Sequence, residues 1–210
     1  MKKNILALCC LLFAINGMAQ IQAVTSNGDE VVLYNDGTWK YVKKNDENAV
    51  KIDTNRTAFL KSKEAAFLVK SNIVPVGVYL NSKKWSFKKA DRDGEAEYSF
   101  QLKSKDGYGM MMAERVEIPL ESLRNIALEN AKEASPDVKI THEEYRNVNG
   151  VKVLCMQMDG TIQGIKFSYL GYYFSFEKGT IQFITYTAQS LLSEYRQDME
   201  ELLNGFVLVK

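Results

Sequence analysis

Two residues capable of covalent or metal chemistry lie on either side of a tight turn, His142 before Asn149-Gly150 and Cys155 after it. Asn-Gly between apolar runs is a strong signal for a two-residue hairpin loop. In such a hairpin Glu144 faces Cys155 and His142 faces Gln157, so the thiol and the imidazole are diagonal neighbours, about 7–8 Å apart at Cα. A thiolate–imidazole pair with Glu144 beside it could support nucleophilic or metal chemistry.

A second interpretation of Cys155 needs no chemistry. Val151, Val153 and Cys155 alternate along the strand after the turn and form one apolar stripe, in which a small buried thiol is ordinary. A thiol nucleophile also needs donors for an oxyanion, and no strained turn offers them. The pattern favours a core cysteine and predicts no catalytic residue, with the Cys155–His142 pair as the alternative.

The sequence offers few ligands for a metal ion, since it contains one His and three Cys. Methionines cluster in two predicted strands, at Met110 to Met112 and at Met156 and Met158, and thioethers are ligands for Cu(I). However, Met156 and Met158 lie on the strand face opposite to Cys155, which divides any combined thiol–thioether cluster. Core packing explains these residues, and we predict no metal and no other cofactor.

Aromatic residues form the other candidate site. Tyr169, Tyr172, Tyr173 and Trp85 could line a groove for a partner or ligand, because aromatic side chains with a polar tip suit interfaces. The alternative is that these rings pack in the core with only their polar tips exposed. We take the four residues as the predicted binding residues.

The composition limits the classes of function. Of 210 residues, 27 are Lys or Arg, 26 are Asp or Glu, 46% are hydrophobic and 3 are Pro. This balance excludes disorder and collagen-like repeats, and it argues against a nucleic-acid partner held by bulk charge. A core of ordinary size is expected to stabilise the fold.

The N-terminus resembles an export signal. Lys2 and Lys3 precede the apolar run from Ile5 to Ile15, and small residues follow up to Ala19. We therefore expect residues 1–19 to be a cleaved signal peptide and the protein to reach the periplasm or the medium. No later apolar run is long enough to span a membrane, and the single remaining cysteine excludes an intramolecular disulfide.

Three further segments follow the signal. Residues 20–42 contain two hairpin turns between β-branched and aromatic runs and predict a small β-meander, which needs another surface to pack on. Residues 43–57 are polar and without periodicity, which predicts a linker. Residues 58–210 form the main domain.

The main domain is predicted to be α+β. Several strands precede a helix that Pro119 opens, four more strands follow, and an amphipathic helix near Ser190 to Asn204 ends with Gly205. The run from Ile165 to Phe176 carries large side chains on both faces, which is typical of a central strand covered on both sides. The expected architecture is an antiparallel sheet flanked by amphipathic helices.

Residues 76–206 resemble the PsbP-like fold family. The matching features are Trp85 after a short strand, the helix from Leu120 to Ala134, the Asn149-Gly150 hairpin and the closing segment Leu202-Leu203-Asn204-Gly205-Phe206. The resemblance implies an α/β/α sandwich and a non-catalytic protein that binds partners. It carries no shared catalytic residues. The expected partner is therefore an envelope protein or a small ligand, here in a Gram-negative bacterium.

Overall fold

The computed structural model describes residues 21–25, 30–42, 51–90 and 96–209. The predicted signal peptide and most of the predicted linker lie outside these residues. The helices are α1 (Leu120–Ala134) and α2 (Leu192–Leu203), the latter preceded by a 3-10 turn at Gln189–Leu191. The strands are β1 (Ile21–Val24), β2 (Glu30–Leu33), β3 (Trp39–Tyr41), β4 (Thr54–Phe59), β5 (Phe67–Lys70), β6 (Val76–Leu80), β7 (Trp85–Lys89), β8 (Tyr98–Leu102), β9 (Gly107–Glu114), β10 (Lys139–Val148), β11 (Val151–Ile162), β12 (Ile165–Phe176), β13 (Gly179–Ala188) and β14 (Phe206–Leu208).

Eight strands form the main sheet in the order β4-β10-β11-β12-β13-β9-β8-β7. Two smaller sheets, β1-β2-β3 and β14-β6-β5, have three strands each. The two helices are separated by a run of four strands and do not alternate with single strands, as the α+β prediction requires. No helix among the described residues is long and apolar enough to cross a membrane.

Strand β12 lies inside the main sheet and is covered on both faces, as predicted. Its even-numbered residues Leu170, Tyr172 and Phe174 belong to a core that also contains the apolar residues of α2. Tyr173, on the opposite face, belongs to a second core that contains Leu123 of α1. The alternation of a strand thus places one helix over each face.

The predicted linker is wrong at its C-terminal end, because β4 begins at Thr54. This strand pairs in parallel with β10, with Phe59 opposite Val148. The Asn149 N–H donates to the Phe59 carbonyl at 2.9 Å, which holds the end of the strand. The main sheet is therefore mixed rather than wholly antiparallel. A short polar strand on a sheet edge lacks the apolar alternation that would have revealed it.

Strand β11 continues through Asp159-Gly160 to Ile162, although Asp-Gly is a common turn sequence. The chain reverses at Gln163-Gly164 instead, where φ is 49° and 81°. Asp159 is used across the strands, since the Ser168 hydroxyl donates to it at 2.7 Å. At Gly160 a Cβ would lie 2.3 Å from a side-chain oxygen, so the glycine is needed for close packing and not for a turn.

The N-terminal meander contacts the main domain through α1. Val24 packs against the core beneath this helix. Ile21 and Gln22 line a cavity together with residues of α1 that include Glu129 and Glu133. Three short strands cannot enclose a core of their own, and this contact supplies the missing surface.

Candidate functional site

The hairpin register around Asn149-Gly150 is as predicted, with Glu144 opposite Cys155 and His142 opposite Gln157. Cys155 is completely buried, and burial raises the pKa of its thiol to about 12. The imidazole of His142 is 52% exposed and its Nε2 lies 3.7 Å from the Glu144 carboxylate. The thiol is therefore protonated at neutral pH and closed to solvent, which does not suit a nucleophile.

Arg146, on the same strand face as His142 and Glu144, is the centre of a buried polar network. Its Nε donates to Glu144 at 2.5 Å and its Nη1 to the Tyr172 hydroxyl at 3.3 Å. The guanidinium also lies 4.4 Å from the centroid of the Phe59 ring. Arg146 thus joins β4, β10 and β12.

The network continues to both sides of Arg146. Asn55 of β4 donates to both carboxylate oxygens of Glu144, at 3.2 and 3.1 Å. Burial opposes ionisation of Glu144, but hydrogen bonds from Arg146 and Asn55 outweigh it and hold the pKa of this carboxyl below its usual value. The Tyr172 hydroxyl donates to Asn204, just after α2, at 2.7 Å. Buried polar groups that satisfy one another's hydrogen bonds in this way are typical of a structural network.

The structure does not bring the four predicted aromatic residues into one groove. Trp85, Tyr172 and Tyr173 are almost completely buried. Tyr172 and Tyr173 are sequence neighbours on a strand, so they point into the two different cores. Only Tyr169 is partly accessible, and its ring lies 5.9 Å from that of Tyr186.

Tyr169 belongs to a row of three tyrosines on the face of the sheet that carries α1. The register places Tyr169 opposite Tyr186 on β13, and Tyr186 opposite Tyr108 on β9. The rings of Tyr108 and Tyr186 stack, with centroids 5.5 Å apart and planes inclined by 23°. The same row continues to Gln101 on β8 and Ser86 on β7.

This row lies beside a part of the sheet that α1 leaves open, because the helix packs mainly over β11 and β12. A shallow cavity of about 160 Å³ lies on the open part, between β7, β8, β9 and β13. We call this surface the tyrosine face and define it by Tyr108, Tyr169, Tyr186, Ser86, Lys88, Ser99 and Gln101. Apart from Tyr169, its members were not among the residues predicted from sequence.

A larger cavity of about 480 Å³ lies between the meander and α1. Its wall is mostly polar or charged, with Glu129, Lys132 and Glu133 contributed by the helix. Ligand sites are usually lined by apolar and aromatic side chains that hold a few polar groups in place. Aromatic side chains that include Tyr108 and Tyr186 line the smaller cavity beside its polar groups, and none lines the larger one. Chemistry rather than volume therefore decides between the two cavities.

The part of the chain that the structure describes contains no group of three or more His, Cys, Asp or Glu side chains placed to hold a metal ion. Met156 is buried in the core beneath α1, together with Leu154 and Tyr173. Cys155 lies in the other core, so the thiol and the thioether face different sides of the sheet. The sheet thus separates the Cys155 thiol from the Met156 thioether, and the two cannot share a metal ion.

Comparison with protein families and curated proteins gives no match to a family model and none to a curated protein. Among solved structures, cyanobacterial PsbP (CyanoP) from Synechocystis sp. PCC 6803 superimposes with a TM-score of 0.53 at 14% identity, covering 69% of this chain and 93% of that one. The fold is PsbP-like. The resemblance stated from sequence is thereby confirmed for the fold.

Two further structures match the PsbP-like domain more distantly. A protein of unknown function from Pseudomonas aeruginosa has a TM-score of 0.44 at 12% identity, with 69% of this chain and 97% of that one covered. A protein from Bacteroides thetaiotaomicron has a TM-score of 0.46 at 11% identity, with 70% of this chain and 49% of that one covered.

Proposed function

We propose that this PsbP-like chain is an exported, non-catalytic binding protein that docks an envelope protein on its tyrosine face. The observation that supports the proposal most directly is the part of the sheet that the described helices leave open beside α1, where Tyr108 and Tyr186 stack next to a shallow cavity. Aromatic side chains with a polar tip supply contact area at low entropic cost, and they are enriched at protein interfaces.

The dimensions of the site favour a protein partner over a small ligand. The cavity of about 160 Å³ is smaller than the roughly 300–1,000 Å³ that is usual for a ligand pocket. A shallow depression of this size can accept one large side chain of a partner as an anchor. The sequence left both kinds of partner open, and the geometry supports the first.

A non-catalytic role accords with the state of the only thiol among the described residues. Cys155 is buried, its pKa is raised to about 12, and His142 points to the surface beside Glu144. A thiol- or metal-dependent activity using Cys155 and His142 would need the thiol to ionise and to reach a substrate. Export is proposed from the N-terminal sequence, where two lysines precede an apolar run that ends near Ala19.

Site-specific photocrosslinking in the host cell tests the proposal. A photoreactive amino acid is placed at Gln101 on the tyrosine face and, as a control, at Ser193, which is exposed on α2. We expect a discrete adduct with one envelope protein from position 101 and none from position 193. The adduct should disappear with Tyr186→Ala.

Gln182→Ala is the matched control, because Gln182 lies on the same face of the same strand but adjoins α1. It should leave the adduct intact. Melting curves of both variants establish that they are folded. An adduct of equal yield from positions 101 and 193, or one that Tyr186→Ala does not affect, would refute docking on this face.

A further inference from the structure

Strand β7 is an edge of the main sheet and adjoins the tyrosine face. It comes last in the strand order, and its residues Ser86 to Lys89 are all exposed. An exposed edge strand presents unpaired N–H and C=O groups to which another extended segment can bond. The edge therefore offers a second mode of contact next to the proposed docking surface.

Two hydrogen bonds at the ends of β7 establish which of its backbone groups bond to β8. The Ala90 N–H donates to the Glu97 carbonyl at 2.9 Å, and the Lys103 N–H donates to the Lys84 carbonyl at 2.8 Å. Positions 84 and 90 thus bond towards β8, and in an antiparallel ladder the even-numbered positions between them do the same. The N–H and C=O groups of the odd-numbered residues Phe87 and Lys89 consequently point away from β8.

The side chains along this edge divide into apolar and basic positions. Phe87 is 37% exposed, and its ring lies 5.4 Å from that of Phe67, which is 48% exposed. Ser86 and Lys88 point to the other face and line the cavity of the tyrosine face. Lys88 and Lys89 are exposed, and neither forms an ion pair with a carboxylate of the described residues.

We infer that β7 accepts an extended segment of the partner as a ninth strand of the sheet, with apolar side chains opposite Ser86 and Phe87 and carboxylates opposite Lys88 and Lys89. The inference rests on the proposed function and names the chemistry of the partner. The backbone would supply affinity and the cross-strand side chains specificity, as in other cases of strand addition.

Charge selects this occupant over a second copy of the chain. Pairing of β7 with its own copy would bring Lys83, Lys88 and Lys89 of both chains to one seam, and like charges across strands oppose pairing. Lysines on an edge strand also discourage unspecific pairing. An acidic segment removes the repulsion, because its carboxylates meet lysines that are otherwise unpaired.

Amide hydrogen exchange of the full chain by NMR tests the inference. The probe is the peptide Thr-Glu-Glu-Val-Phe-Thr, which in antiparallel pairing places its glutamates opposite Lys89 and Lys88. We expect saturating peptide to slow exchange of the Phe87 and Lys89 amides at least roughly tenfold, as new hydrogen bonds do. The even-numbered amides, already bonded to β8, should not change. The same peptide with lysines in place of the glutamates should not bind.

Two variants of one residue separate backbone pairing from charge. Lys89→Ala removes one cross-strand pair and should weaken peptide binding by at most about fivefold. Lys89→Pro also removes the outward N–H, which an edge strand tolerates, and should abolish the protection of Phe87. Melting curves establish that both variants are folded.

Equal binding of the acidic and basic peptides would overturn the inference, as would equal effects of Lys89→Ala and Lys89→Pro. Peptide-induced shifts at Tyr108 and Tyr186 without protection of Phe87 and Lys89 would also overturn strand addition, while docking on the tyrosine face would stand. Failure to obtain a specific photoadduct from position 101, in contrast, would count against the proposed function itself.

Discussion

Replacing Arg146 by Met should destabilise the protein through the carboxylate that it leaves behind. Arg146 is 8% exposed and Glu144 is 14% exposed, so the pair is largely removed from water. Breaking a buried ion pair by removing one partner costs about 3–5 kcal/mol. Glu144 keeps its hydrogen bonds from Asn55, so we expect the lower end, about 3 kcal/mol at neutral pH.

A double-mutant cycle with Glu144→Gln gives the decisive comparison. Once residue 144 is neutral, removal of the guanidinium no longer leaves a buried charge unpaired, because Glu200, which lies 3.7 Å from Arg146, also pairs with Arg196. Arg146→Met should therefore cost about 1–2 kcal/mol less in that background. The assay is urea unfolding followed by circular dichroism. Acidification should also reduce the cost of Arg146→Met, because protonation of Glu144 removes the unpaired charge. Arg146→Lys keeps the charge but loses the planar guanidinium, so its free energy of unfolding should lie between those of the wild type and Arg146→Met.

A loss below about 1 kcal/mol in Arg146→Met, with no coupling to residue 144, would refute this reasoning. It would mean that the pair behaves like a solvent-exposed salt bridge. The packing of Arg146 on the Phe59 ring would then outweigh its polar contacts, and Arg146→Met would conserve most of that packing.

Three other predictions concern the core, the thiol and the pH dependence. Gly205→Ala should cost about 2–3 kcal/mol in thermal unfolding, because a Cβ there would lie 1.8 Å from the Tyr79 carbonyl oxygen; a melting temperature equal to the wild type would contradict the close approach. Cys155 should react with a thiol reagent at pH 8 only after urea unfolding, as mass spectrometry would show, and rapid labelling of the native protein would count against its burial. Burial opposes ionisation of Asp198, but its bond to Lys84 holds the folded pKa below the ordinary 3.8, so the unfolded state binds protons more readily. The stability that Asp198 contributes is therefore present above about pH 4 and lost as the pH falls through the folded pKa. The free energy of unfolding, measured in urea between pH 5 and 2, should fall less for Asp198→Asn than for the wild type.

Local signals in the sequence predicted the elements that depend on short-range chemistry. Asn149-Gly150 predicted the register of β10 and β11 from the turn to His142, beyond which a bulge shifts it. The bulk on both sides of β12 indicated its central place. The helix opened by Pro119 appears as α1, which buries Leu123 and Ala127. Each of these features is encoded by residues close together in the chain.

The candidate surface could not be predicted in the same way, because it depends on pairings between distant segments. Tyr108 and Tyr186 become neighbours only when β9 pairs with β13, and nothing in either segment specifies that partner. Trp85 and Tyr172 are of residue types that are common at interfaces, but both lie in the core. Gly205 follows the C-cap of α2, as predicted, but its second role, to let the backbone of Tyr79 approach, depends on a distant strand.

The pairing of β9 with β13 also bears on the order in which the chain can fold. Strands β10 to β13 are consecutive in sequence and adjacent in the sheet, so they can assemble through short-range hairpins as soon as they are synthesised. Strands β7 to β9 are made earlier but join the sheet only when β13 exists. Until β13 has been synthesised, the side of β9 that faces it has no partner strand. A chaperone that prevents aggregation of the nascent chain would therefore bind this exposed edge.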